Sequence, residues 1–421
     1  GRPQIALLAE PPDDLSVLGD YDDYVWLLVA HEYVHVLHLG TVRGLPALLN
    51  ALMGEVWVPN AIQPRFVVEG LATYQESHVS SAGRMRSALF DMYLRADFLE
   101  DRVLDLGQLT GGPGRWPWGT AWYLYGGSLI GWLAATRGDE ALLRYSHGYG
   151  GNLVPWAVNV DLREAAGTDW IELYDEWVEA MRARYAAQRA AIEAAGPITE
   201  PALRTRSGER TMAPRWSPDG RWLYYVEAGS DRLPHLRRLH RETGVDEEVR
   251  ELGGSGRIAP VPDGGVILAR GEVTDAYLHF GDLFRVDADR EVRLSRGLRA
   301  SEVDVAPDGR SVVYVQRGRG RTRLARLALV EGAEPEILFD PGERVIYTPR
   351  HLPDGSGILF SMTRAGPGRD VHLLDLATGA LRQLTDDEAL DLDPAPTPDG
   401  GAVVFASDRT GVFDLYRLDL S

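Results

Sequence analysis

Hydrophobic positions follow two regimes along the chain. Up to Gly196 they recur at helical spacing, over Tyr24 to Leu39, Arg65 to Ser77, Ser87 to Leu99, Thr120 to Ala135, Glu140 to Ser146 and Asp169 to Ala194. Asp22 or Asp23 can cap the first of these, and Gly40 is expected to end it in the left-handed conformation. Tyr24 to Leu39 is apolar on nearly every face, which predicts a helix in a domain interior. Pro46, Pro59 and Pro64 predict a looser segment before the second helix, and Gln4 to Ala9 reads as a single strand.

At Gly196-Pro197-Ile198-Thr199-Glu200-Pro201 the pattern changes to short alternating strands with Gly-rich turns. This divides the chain into a mostly α-helical domain, residues 1–196, and an all-β domain, residues 197–421. The second part repeats: Pro-Asp-Gly begins at Pro218, Pro262, Pro307, Pro353 and Pro398, at spacings of 44, 45, 46 and 45. Five copies at so even a period predict a β-propeller with one blade per repeat, and the Asp of each copy is a turn residue. The last blade ends at Asp414 to Leu418 without an outer strand, so Ala202 to Thr205 is expected to complete it and remove a sheet edge.

Composition narrows the function. Apolar content of 44 % and charged content of 25 % suit globular domains with their own cores. A net charge of -18 argues against a nucleic-acid partner. Every basic residue is arginine, which reads as a GC-rich bacterial genome and removes lysine-based mechanisms. With no cysteine, any metal must be held by His, Asp or Glu. No apolar run reaches the roughly 18 residues of a membrane span, and no signal peptide is seen. The chain starts at Gly1 without a methionine and reads as a processed or excised piece.

The candidate chemistry lies in the first helix, where His31-Glu32-Tyr33-Val34-His35 writes His-Glu-x-x-His. One turn apart, His31 and His35 can reach one metal ion, with Glu32 directed at a water on it. A catalytic zinc usually takes three protein ligands, and Glu69 is the candidate third. Glu76, seven residues further on, shares its helix face and reads either as a hydrogen-bond partner of a ligand histidine or as a surface charge. His38 shares the face of His31 and His35 and reads as packing or as support for a ligand.

The pair formed by His-Glu-x-x-His and Glu69-Gly70-Leu71-Ala72 resembles the gluzincin metallopeptidases of the aminopeptidase-N and leukotriene-hydrolase type. The resemblance covers roughly the first 195 residues. It is closest to bacterial proteins that join such a domain to a TolB-like propeller of Pro-Asp-Gly repeats. It implies Zn2+ as cofactor, held by His31, His35 and Glu69, with Glu32 as general base. Tyr123-Leu124-Tyr125-Gly126 looks like the family's Tyr-x-x-Gly segment, making Tyr123 the oxyanion donor and Tyr125 the fallback. No Gly-x-Met-Glu-Asn precedes His31, so the resemblance does not extend to recognition of a substrate's free amine.

The expected activity is zinc-dependent hydrolysis of a peptide or protein substrate, with the propeller recognising substrate or a protein partner. The alternative from another class is a catalytically silent, peptidase-like binding module. An extracytoplasmic location follows from the resemblance alone. A serine hydrolase is disfavoured, because Gly126-Gly127-Ser128-Leu129-Ile130 fails the Gly-x-Ser-x-Gly elbow at its last position.

Overall fold

The computed structural model describes residues 12, 16, 18, 19, 21–154, 156–205, 210–229, 231–276 and 278–420. The predicted strand at Gln4 to Ala9 lies outside them. The chain forms two compact units that meet at Thr199 and Glu200, and Pro12, Ser16, Leu18 and Gly19 group with the second. The carbonyl of Pro12 accepts hydrogen bonds from Arg317 and Tyr347, and that of Gly19 accepts one from Arg369.

The first unit is helical: α1 (Tyr24–Leu39), α2 (Gly44–Met53), α3 (Arg65–His78), α4 (Ala88–Leu99), α5 (Leu106–Gly111), α6 (Thr120–Arg137), α7 (Asp139–Tyr149), α8 (Val158–Ala166) and α9 (Trp170–Ala195). Asp23 caps α1 by accepting from the Trp26 amide, and Asp169 closes a capping box with Glu172 on α9. The core gathers Trp170, Trp177, Tyr125, Tyr149, Tyr185 and Phe66, all fully buried.

Three expectations for this unit change. α1 is not interior: Tyr24, Leu27, His31 and His38 face inward, whereas Val25, Trp26, Tyr33 and Leu37 are 50–55 % exposed. Gly40 is right-handed at φ -72°, so glycine is needed there for space; a Cβ would lie 2.6 Å from the Val36 carbonyl oxygen. The predicted loose segment holds α2, because Pro46 sits in its first turn, where no intrahelical N–H bond is lost. Among the described residues no single helix is long and apolar enough to cross a membrane.

The second unit is a propeller of five antiparallel sheets. Blade one is β1 (Arg210–Trp216), β2 (Trp222–Ala228), β3 (His235–His240) and β4 (Asp246–Glu251). Blade two is β5 (Arg257–Pro260), β6 (Val266–Asp275), β7 (Leu278–Val286) and β8 (Glu291–Arg293). Blade three is β9 (Ala300–Val305), β10 (Ser311–Gly318), β11 (Arg321–Ala328) and β12 (Glu336–Phe339). Blade four is β13 (Ile346–His351), β14 (Gly357–Thr363), β15 (Arg369–Asp375) and β16 (Leu381–Gln383). Blade five has β17 (Asp391–Pro396), β18 (Ala402–Ser407) and β19 (Asp414–Asp419).

Each Pro-Asp-Gly makes the turn between a blade's first two strands, with its glycine at positive φ. In four blades the Asp side chain accepts the amide two residues on, as Asp219 does from Arg221 and Asp308 from Arg310. The expected closing strand does not form: Ala202 to Thr205 is not in a strand, and blade five shows three strands among the described residues. Asp414, Arg417 and Asp419 put charge along the outer strand β19, which discourages pairing with another chain.

Candidate metal centre

α1 offers His31 and His35 one turn apart, and α3 crosses it with Glu69 and Glu76 on the facing side. The position of Glu69 follows from a close helix crossing. Gly70 on α3 and Gly126 on α6 meet so tightly that a Cβ on Gly70 would lie 2.4 Å from Gly126 carbonyl carbon. One on Gly126 would lie 2.3 Å from the Phe66 carbonyl oxygen. Two glycines thus bring the backbones together just beside Glu69 and one turn from Tyr123.

Three possible ligand atoms converge. His31 Nε2 and His35 Nε2 are 3.2 Å apart, and Glu69 Oε2 lies 3.5 Å from the first and 3.4 Å from the second. A tetrahedral zinc with metal–ligand bonds near 2.0–2.1 Å has ligand atoms about 3.3 Å apart, so these residues fit the ion. His31, at 6 % exposure, is buried. Burial pulls its pKa down, but hydrogen bonds to Glu69 and Glu76 outweigh this and the net direction is up. For Glu69, burial raises the pKa, and hydrogen bonds and charge from the two histidines overcome it, holding the carboxylate well below its usual range.

The far side of His31 is fixed. Its Nδ1 lies 2.8 Å from Glu76 Oε2, which can accept the ring N–H, and 2.8 Å from an Arg84 terminal nitrogen, while its Nε2 faces Glu69. Glu76 is fully buried. Burial raises its pKa, and hydrogen bonding from Arg84 more than reverses this. Arg84 donates through Nε to Oε1 at 2.7 Å and through a terminal nitrogen to Oε2 at 2.5 Å, and its guanidinium stacks over the Tyr123 ring at 4.6 Å. Spacing does not reveal Arg84, an arginine in the turn between α3 and α4 with no motif around it.

The other candidates separate. Tyr123 faces the centre: its ring is 5.9 Å from that of His31, and its pKa is raised by burial and then by the Glu69 charge. Tyr125 does not. It lies in the core and donates to Asp97 Oδ2 at 2.5 Å, so its hydroxyl is occupied away from the histidines. Glu32 is half-buried and, among the described residues, forms no ion pair. His38 is buried outside the converging set, with its pKa pushed down to about 4 by burial and by the neighbouring His35.

The propeller carries a second polar cluster. Its five inner strands line a cavity of about 450 Å³ containing Arg215, Glu302, Asp304, Arg350 and His351. Asp304 is bonded by Arg215 and accepts from the His351 amide at 2.8 Å and its Nδ1 at 3.0 Å. Burial would raise its pKa, but the Arg215 charge and the His351 hydrogen bond lower it to about 2.

Comparison with known proteins agrees with this architecture. The profile of the TolB beta propeller domain matches residues 304–421, which fall in blades three to five. The second unit is a TolB-like propeller. The Tol-Pal system protein TolB of Gluconobacter oxydans is 41 % identical over 113 residues, 26 % of this chain and 24 % of that protein. The chain thus spans about a quarter of that relative's length. TolB from Acinetobacter baumannii superposes with a TM-score of 0.42 at 20 % identity, covering 50 % of this chain and 52 % of the other. For a TolB described as putative, from Agrobacterium tumefaciens, the TM-score is 0.43 at 22 % identity, with 52 % and 80 % covered.

Proposed function

We propose that the helical unit is a gluzincin-type zinc peptidase and that the TolB-like propeller recognises its substrate or a protein partner. The observation that carries this reading is the convergence of His31 Nε2, His35 Nε2 and Glu69 Oε2 at tetrahedral spacing, with Glu32 beside them on α1. Zinc held by these three residues would supply a Lewis acid that acidifies water and polarises a peptide carbonyl. Glu32 takes the proton of the attacking water and later returns it to the leaving amine. Tyr123 donates its hydroxyl to the oxyanion, which its raised pKa keeps protonated for that role. Glu76 and Arg84 hold His31 in the tautomer that points Nε2 at the metal.

Similarity to TolB, a protein named for a Tol-Pal system, supports a protein partner for the propeller and an extracytoplasmic, bacterial setting. It also favours a second reading, a peptidase-like binding module without catalysis. Metal analysis and cleavage of a peptide library, comparing wild type with Glu32→Gln, separate the two. The peptidase reading expects one zinc per chain in both proteins and cleavage by wild type alone. Stoichiometric zinc with cleavage by neither transfers the proposal to the binding module. Absence of zinc from both ends the metal assignment.

A further inference from the structure

Two helices of the first unit treat solvent in opposite ways. α9 is an ordinary surface helix: it buries Leu173, Trp177, Met181 and Tyr185 and exposes Glu172, Glu176 and Glu179. α2 is the reverse. Pro46 is its one buried residue, while Leu45, Leu48, Leu52 and Met53 are 51–76 % exposed. Leu45, Leu48 and Leu52 recur at helical spacing and so form one outward stripe.

Hydrogen bonds hold this orientation. Asn50 is the one polar side chain of α2, and it turns to the protein. Its Nδ2 donates to the Trp57 carbonyl at 2.8 Å, and its Oδ1 accepts the Val56 and Trp57 amides at 3.0 and 2.9 Å. The loop between α7 and α8 is tied alongside: the Arg43 amide donates to the Gly150 carbonyl at 2.9 Å, and the Trp57 indole N–H donates to the Asn152 carbonyl at 2.9 Å. Asparagines of this region also have partners within the unit, Asn152 donating to Asp161 at 2.6 Å and Asn159 accepting the Trp170 amide at 3.2 Å. What the loop shows to solvent is apolar, with Val154 57 % and Trp156 84 % exposed.

Charge is excluded from the same face. Residues 44–54 and 148–160 contain no charged side chain, in a chain of which 25 % is charged. A protein interface surrounds its apolar centre with a polar, hydrogen-bonding rim. Here the asparagines are turned inward, and leucines and a tryptophan are offered instead. Hydrocarbon rejects charge, and tryptophan favours the headgroup level, so this composition suits a bilayer. α1 and α2 together reach the length and apolarity of a membrane segment, but they are bent by 91°. That bend favours α2 lying along an interface over a straight span.

We propose that α2 and the Trp156 loop dock the helical unit on a lipid bilayer, with Leu45, Leu48, Leu52 and Trp156 entering its interface. The net charge of -18 offers no attraction to anionic headgroups, so burial of apolar surface drives the association. Binding therefore occurs on neutral lipid and withstands salt, unlike that of a basic amphipathic helix. The proposal does not depend on the peptidase reading.

Flotation of the full chain with phosphatidylcholine vesicles tests the surface. The double variant Leu48→Gln, Leu52→Gln is the probe; glutamine keeps the charge and the helix propensity, so the wild-type melting temperature is expected. Leu203→Gln, Val330→Gln, at positions 75 % and 68 % exposed in the second unit, is the control. The expected result is vesicle binding that weakens about tenfold or more in the probe and is unchanged in the control. It should persist in about 0.5 M salt and gain nothing when about one fifth of the lipid is phosphatidylserine. Because the chain has no cysteine, Leu52→Cys carries a polarity-sensitive dye at a single position. Its emission should shift to the blue with vesicles, and that of a dye at Val330→Cys should not. No binding to neutral vesicles, equal binding by the probe, or binding only with anionic lipid overturns the proposal. Concentration-dependent self-association in sedimentation velocity, lost in the probe and seen in place of vesicle binding, also overturns it and assigns the face to a second copy of the chain.

Discussion

The helical unit and the propeller each contain a buried histidine beside carboxylates and an arginine, and the two clusters are wired in opposite ways. Around Asp304, donors surround an acceptor: Arg215, the His351 amide and the His351 ring all point at one carboxylate. Around His31 and His35, three possible metal-ligand atoms face one another, with two Nε2 atoms and Glu69 Oε2 within 3.5 Å of one another. The first arrangement is complete within the protein and holds inner strands together. The second has the spacing to hold a metal ion between its members. Burial and residue type are alike, so the convergence of three ligand atoms on one point distinguishes the candidate metal centre from the structural cluster.

Replacing single residues should separate the two clusters. The largest effect is expected from Glu69→Ala, which removes a proposed ligand and should lower zinc affinity by more than about 100-fold, above the range for residues that only orient ligands. Competition with a chromophoric chelator measures it; affinity close to wild type would remove Glu69 from the ligand set. Asp304→Ala leaves Arg215 buried without its partner and should destabilise the propeller by about 3–5 kcal/mol, with zinc content unchanged. Urea unfolding followed by intrinsic fluorescence reads this change.

Glu76→Gln keeps the shape of the side chain but weakens its grip on His31 and Arg84. Zinc affinity should fall about 10- to 100-fold, less than for Glu69→Ala. Equal losses in the two variants would erase the distinction between ligand and support. The smallest effect is expected from acid. Asp304 has its pKa depressed from 3.8 to about 2, so its contribution is complete above pH 3.8 and disappears as pH falls through 2. That contribution is about 2 kcal/mol, and Asp304→Asn should flatten propeller stability across this window.

Much of this architecture is legible in the residues. The helix over Tyr24–Leu39 follows from periodicity and capping, the one read over Arg65 to Ser77 from periodicity, and five blades follow from the spacing of Pro-Asp-Gly. The errors share a cause. Helix α2 was hidden because Pro46 looks like a breaker, although the first turn tolerates it. α1 looks interior because its sequence is apolar all round, yet only one of its faces is covered in this unit. The expected closing strand at Ala202 to Thr205 required a pairing between distant segments that local pattern does not encode. Arg84 and the grouping of Pro12 with the propeller left no sequence signal, because both arise from contacts between segments far apart in the chain.

By itself the sequence determined the elements, the repeat and the short list of groups able to bind a metal, since these depend on local propensity, period and residue chemistry. The tertiary structure decided which of those groups meet. Gly70 and Gly126 let α3 and α6 touch, and that contact sets Glu69 against the two histidines and Tyr123 beside them while turning Tyr125 into the core. Whether two side chains face one point is a property of helix crossings, and crossings depend on packing across the whole unit.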